Sequence, residues 1–264
     1  MIPAVDRLYR SIFCRNGYGV HSPFAFDLIT NVIEEKRGYY CYEMLDNIRL
    51  QLQRESRKIK CGDKELTVKQ ALNRFGFSVR GHELLFRLAN RFQPEKILVA
   101  GSCLGLTPLY VTAYSKGANC IVFEPEPSVA VIARNMVKKY AHSSINIYDK
   151  LPDEFDMPAL NDLDFIVWGK TPTGFFPGRK EPAAGCGSVF TADFSLSAFE
   201  HLRRYITDES VLIVSGINAS CADRQTWKAL CAHPMVSVTL DLHSFGIVFF
   251  TAKLTRKSYK CVHI

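Results

Sequence analysis

Two apolar runs near the C-terminus, residues 236–242 and 246–251, are separated by little more than His243-Ser244-Phe245. Valine and threonine in the first and isoleucine, valine and phenylalanine in the second are strand formers. A parallel crossover needs about a dozen residues or more, so two strands this close together can only form an antiparallel hairpin. Upstream, short apolar runs at 96–100, 119–123, 145–148, 164–168 and 210–214 alternate with helical patterns at 106–116, 128–140, 194–205 and 224–233. That alternation implies parallel βαβ units with the sheet covered on both faces. The chain is therefore read as an open α/β sheet, parallel throughout except where the closing hairpin reverses it.

The first 93 residues have a different texture and are read as a helical N-terminal extension, with the α/β domain running from 94 to 264. Residues 6–13 carry apolar side chains at helical spacing. The run Gly17-Tyr18-Gly19-Val20-His21-Ser22-Pro23-Phe24 is turn chemistry. Ser22 is placed to cap a helix whose first residue is Pro23, continuing through Phe26, Leu28, Ile29, Val32 and Ile33. Further helices are expected at 42–58, 68–75 and 82–92. The basic residues at 54–60 are assigned to the polar helix and those at 256–260 to a solvated tail.

The first candidate site follows the strand at 96–100. Gly101-Ser102-Cys103-Leu104-Gly105 has glycines four apart. A glycine at a strand end lets the backbone pass close to a ligand. Free N–H groups at the start of the next helix can hold a carboxylate or phosphate. The spacing departs from the G-x-G-x-x-G dinucleotide fingerprint, which argues against a nicotinamide-linked oxidoreductase, as does the C-terminal hairpin. Glu124 stands just past the second strand, where a carboxylate can accept hydrogen bonds from both ribose hydroxyls of an adenosyl ligand. Asp149, after the third strand, is either an adenine contact or a loop cap. Residues 171–192 are rich in glycine and proline and follow the fourth strand at the ligand-binding edge; the stretch is either a substrate lid or disordered.

Composition narrows the class. Hydrophobic residues make up 47% and charged residues 22%, as in ordinary globular proteins. No apolar run approaches the roughly 18 residues of a membrane span. The N-terminus lacks the apolar stretch of a signal peptide. The nine cysteines are odd in number and scattered, without a C-x-x-C pair, as expected of reduced thiols in the cytoplasm. The net charge of +7 comes without a basic, aromatic-interleaved stripe, which argues against nucleic acid as a partner.

From residue 96 to its end the chain resembles the class I S-adenosylmethionine (SAM)-dependent methyltransferases, most closely the branch allied to catechol O-methyltransferases. The residues carrying the resemblance are Gly101, Gly105 and Glu124 and the closing hairpin. The run from Gly17 to Phe24, Leu84-Leu85-Phe86-Arg87-Leu88 and Trp227 look like an uncharacterised bacterial methyltransferase-like family with a helical extension. The resemblance implies a Rossmann-like sheet of seven strands and a SAM site built from Gly101, Ser102, Cys103, Gly105, Glu124 and Asp149.

The departures qualify the activity. Val99 stands where the family usually has a glutamate. Trp168-Gly169-Lys170-Thr171 replaces Asp-Gly-x-His, and Ser215-Gly216 replaces paired aspartates. In the metal-dependent branch those acids bind a divalent cation, and a hard cation needs such oxygens; no metal is expected here. Lys170, His201 and His21 are the candidates for a base, each also readable as a structural residue. Two functions follow: metal-free methyl transfer to a small-molecule acceptor, or a catalytically silent relative with a binding or scaffolding role. With Val99 in place of the acid, SAM should bind weakly, and Val99→Glu should tighten it.

Overall fold

A computed structural model describes residues 10, 13–149, 160–171 and 194–261. Most of the helical pattern at 6–13 and nearly all of the glycine- and proline-rich stretch at 171–192 lie outside the described residues. The main sheet runs β5 (Ser144–Tyr148), β4 (Asn119–Phe123), β3 (Lys96–Ala100), β6 (Leu163–Trp168), β7 (Ile206–Ser215), β9 (Phe245–Phe249), β8 (Val238–Asp241) and β10 (Lys257–Lys260), in that spatial order. β9 pairs antiparallel with both β7 and β8, while the remaining neighbours pair in parallel. The expected seven strands and antiparallel hairpin are all present. β10 adds an eighth: the basic stretch read as a tail is an edge strand. Its lysines do face solvent and only Tyr259 is buried, a pattern that discourages further strand pairing at an edge.

Period-two alternation along the strands feeds two cores. Ile97, Val99, Val122, Phe165, Val167 and Ile213 point to one face, under α1 (Pro23–Leu28, continued by a π turn Ile29–Ile33) and α4 (Val79–Phe92). Leu98, Ala100, Phe123, Ile166, Trp168 and Leu212 point to the other, under α7 (Leu196–Leu202) and α8 (Cys221–Ala232). Ser22 caps α1 as its sequence suggests, accepting the Ala25 N–H with Pro23 in the first turn. On α8, Trp227 lies across Gly246 of β9, where an added Cβ would come within 2.2 Å of the indole. Gly246→Ala is expected to lower stability by about 1–3 kcal/mol through overpacking, read as a drop in urea midpoint. A smaller ring at Trp227 should restore part of the loss.

The extension is not wholly helical. α2 (Tyr42–Arg54) stops four residues short of the expected end, and β1 (Lys58–Cys61) and β2 (Lys64–Thr67) form a separate hairpin. The two-residue turn is Gly62-Asp63, with Gly62 at φ +60°, a position glycine adopts without strain. Ile59 and Cys61 face inward and Lys58 and Lys60 outward, so the lysines are alternate positions of a strand rather than part of a helix. α3 (Val68–Phe75) follows, opened by a capping box between Thr67 and Gln70. A third core joins Leu45, Ile48, Leu52, Ile59 and Leu72 to Phe86, Tyr110, Ile132 and the turn residues Cys103 and Leu104. Residues on both sides of position 93 thus share cores. Among the described residues no helix is long and apolar enough to cross a membrane.

Candidate functional site

β3 ends at Ala100 and the chain turns sharply. Gly101 adopts φ +89° and Gly105 φ +93°. A Cβ on Gly101 would meet the Lys170 carbonyl at 3.0 Å and the Thr171 methyl at 3.1 Å, because the segment after β6 runs directly beside the turn. A Cβ on Gly105 would meet Ala133 and Met136 at 3.1 Å. Gly105 therefore serves the approach of α6 (Pro127–Tyr140). Between the glycines, Cys103 and Leu104 are also left-handed, at φ +49° and +59°. For residues with a Cβ this conformation costs about 1–2 kcal/mol each, so the surroundings must hold it. α5 (Leu106–Thr112) starts immediately afterwards.

Glu124 follows β4, the strand next to β3, and its carboxylate turns toward the glycine turn. Its Oε2 accepts the Ser102 N–H at 2.9 Å and the Ser102 hydroxyl at 2.7 Å. Its Oε1 takes only a longer bond, from the Glu126 N–H at 3.4 Å. Glu124 is 1% exposed. Burial pushes its carboxyl up to about 7, against the lowering effect of the Ser102 bonds and with a further push from the neighbouring Glu126 charge. Glu126 is also buried and accepts the Gly62 N–H at 2.7 Å, which ties the tip of the β1–β2 hairpin to this rim.

The other candidates are more dispersed. Asp149 is exposed at the end of β5 and pairs with Arg134 of α6. Lys170 is half-buried just beyond β6, its Cε lying 3.1 Å from where a Gly216 Cβ would stand. It thus fills the gap between the ends of β6 and β7. His201 is exposed on the last turn of α7, which runs back toward the opposite edge of the sheet before β7 begins. His21 is exposed ahead of α1. Trp168 is buried and packs edge-to-face on Phe194, as a core residue does. The Cys103 thiol is buried and pushed up to about 12, so it is inert. Among the described residues no three His, Cys, Asp or Glu side chains gather as a metal site would require.

An O-methyltransferase from Bacillus cereus, solved with SAH, superposes with a TM-score of 0.52 at 14% identity, over 84% of this chain and 96% of that one. A methyltransferase from Geobacter sulfurreducens gives 0.50 at 14% identity, over 83% and 93%. An O-methyltransferase from Streptomyces achromogenes involved in tomaymycin synthesis, solved with SAM, gives 0.51 at 16% identity, over 69% and 90%. The fold is that of a methyltransferase. No protein-family model and no curated protein matches the sequence, so the likeness lies in the architecture.

At this rim Glu124 Oε1 keeps acceptor capacity beyond its one long bond, since a carboxylate offers about four lone-pair sites. Val99 adds no polar group to the rim. It is fully buried and faces the α1/α4 core. The structure accordingly changes what Val99→Glu should do: the new carboxylate would enter an apolar core. Sequence reasoning also missed Arg49 and His82, both buried beside the glycine turn. Arg49 had a legible signal, because it shares the spacing of Leu45, Ile48 and Leu52 on the buried face of α2.

Proposed function

We propose that this protein binds SAM at the glycine turn and transfers its methyl group to a small-molecule acceptor without a metal ion. The observation that supports this reading is the Glu124 carboxylate beside Ser102 at the C-terminal ends of β3 and β4. This is the rim where open α/β sheets bind their ligands. SAM supplies an electrophilic methyl on a sulfonium, which departs as a neutral sulfide with the C–S electron pair. Glu124 accepts from the ribose through Oε1. Ser102 gives its N–H to Glu124, so the carboxylate end falls to the N–H groups of Cys103 and Leu104. Lys170 lies between the ends of β6 and β7, where it can orient an acceptor oxygen. Orientation of the two reactants can supply much of the acceleration.

One observation favours a second reading, a silent relative with a binding or scaffolding role. Ser102 already donates twice to Glu124, and the carboxylate is almost wholly covered. Calorimetry separates the two. On the first reading SAM and SAH bind with dissociation constants of roughly tens of micromolar, one to two decades weaker than with an acid at the ammonium end. Absence of binding by either compound at millimolar concentration would leave the second reading standing.

A further inference from the structure

A chain of hydrogen bonds lies beneath the glycine turn. Arg49 of α2 donates through Nη2 to the Phe77 carbonyl at 2.5 Å and meets His82 Nδ1 at 2.7 Å. His82 is fully buried, and burial together with the Arg49 charge holds its pKa well below the usual histidine range. The ring is therefore neutral, and with an arginine at Nδ1 its one proton belongs on Nε2. Nε2 faces the Thr107 hydroxyl at 3.2 Å. Thr107 in turn donates its backbone N–H to the Ser102 carbonyl at 3.3 Å. Five residues from α2, the α3–α4 link, α4, α5 and the glycine turn are thus joined in one chain of bonds. Tyr110 stacks on the His82 ring at 4.9 Å and bonds Asp46 of α2.

The chain of bonds ends on Ser102, directly before Cys103 and Leu104, the two non-glycine residues that the turn holds at positive φ. Such a conformation persists only when its surroundings over-determine it. Ser102 also carries the N–H and hydroxyl that bind Glu124. We propose that Arg49 is a positioning residue for the adenosyl site: through His82 and Thr107 it fixes the glycine turn and so aims Ser102 and Glu124. The extension is then part of the site's machinery, because without α2 the turn has no such support. This inference rests on the function proposed above for its ligand, though its structural half does not.

The test compares Arg49→Met with Arg87→Met. Arg87 is an equally buried arginine that bonds the Val32 and Ile33 carbonyls and the Tyr42 hydroxyl, with no tie to the glycine turn. Hydrogen exchange at the Ser102, Gly105 and Thr107 amides is measured in both variants, alongside SAH calorimetry. Arg49→Met is expected to speed exchange at the turn and weaken SAH by about tenfold or more, the scale of a lost charge-assisted bond. Arg87→Met is expected to leave both unchanged. Arg49→Lys, which keeps a donor, should recover part of the affinity. If Arg49→Met fails to fold, Thr107→Val breaks the same chain of bonds at matched volume. Unchanged turn exchange in the Arg49 or Thr107 variant, or an equal effect of Arg87→Met, overturns the proposal. If wild type binds no SAH, the adenosyl reading falls, and the exchange data alone decide whether Arg49 holds the turn.

Discussion

Val99→Glu is expected to destabilise the protein by about 3–5 kcal/mol, the scale of an uncompensated charge in a protein interior. Val99 is fully buried in the middle of the sheet, paired in register with Val122 on β4 and Val167 on β6. All three valines face the same core as Leu84, Leu85 and Leu88 of α4. A glutamate here either buries a charge or is protonated and leaves a carboxyl among methyl groups. The loss should be smaller at pH 5 than at pH 8, because the neutral acid is cheaper to bury. Urea denaturation at the two pH values checks this. Stability equal to wild type together with tighter SAM binding would mean that the side chain reaches the rim, and the assignment of Val99 to the core would be wrong.

A second large effect is expected from Glu124. Its carboxyl titrates near 7 in the folded protein, against an ordinary value of 4.5. The folded state therefore binds more protons than the unfolded state between those pH values. Stability from this group is fully present below about pH 4.5 and is lost as pH rises toward 7. A shift of that size corresponds to about 3 kcal/mol. Other groups titrate over the same range, so the measurement is a difference: urea midpoints at pH 5 and pH 8 for wild type and for Glu124→Gln. Wild type should lose about 2.5 kcal/mol more than the variant across the interval, because part of the effect is already lost at pH 5. A parallel pH dependence in the two proteins would show that the carboxylate is solvated in the folded state. A ligand whose ribose donates to Glu124 favours the charged form, so SAM binding at pH 6 should release protons to the buffer.

The strand-and-helix alternation after residue 94 was legible because each element obeys a local rule. Strands β3 and β4 fall at the expected residues, since apolar runs between turn signals have few alternatives. The closing hairpin was legible for a stricter reason: three link residues exclude a crossover. The proximity of Glu124 to the glycine turn also followed from order alone, because β3 and β4 are neighbours in a parallel sheet. The β1–β2 hairpin was misread because Lys58 and Lys60 continue the polar character of α2, and only the pairing with β2 shows them to be alternate strand positions.

What tertiary structure alone decided is the state of the site residues. The sequence marks Glu124 as a carboxylate at a strand end; burial, outweighing the two Ser102 bonds, turns it into a group that titrates near neutrality. The spacing of Arg49 with Leu45, Ile48 and Leu52 puts it on the apolar face of α2, but only folding places it against a neutral histidine under a strained turn. Local pattern specifies backbone geometry because hydrogen bonding and side-chain periodicity act between near neighbours. Electrostatic character depends on which distant groups exclude water and supply partners. Arg49, Phe77, His82, Ser102 and Thr107 are scattered over more than fifty positions of the chain, and only the packed fold joins them in one chain of bonds.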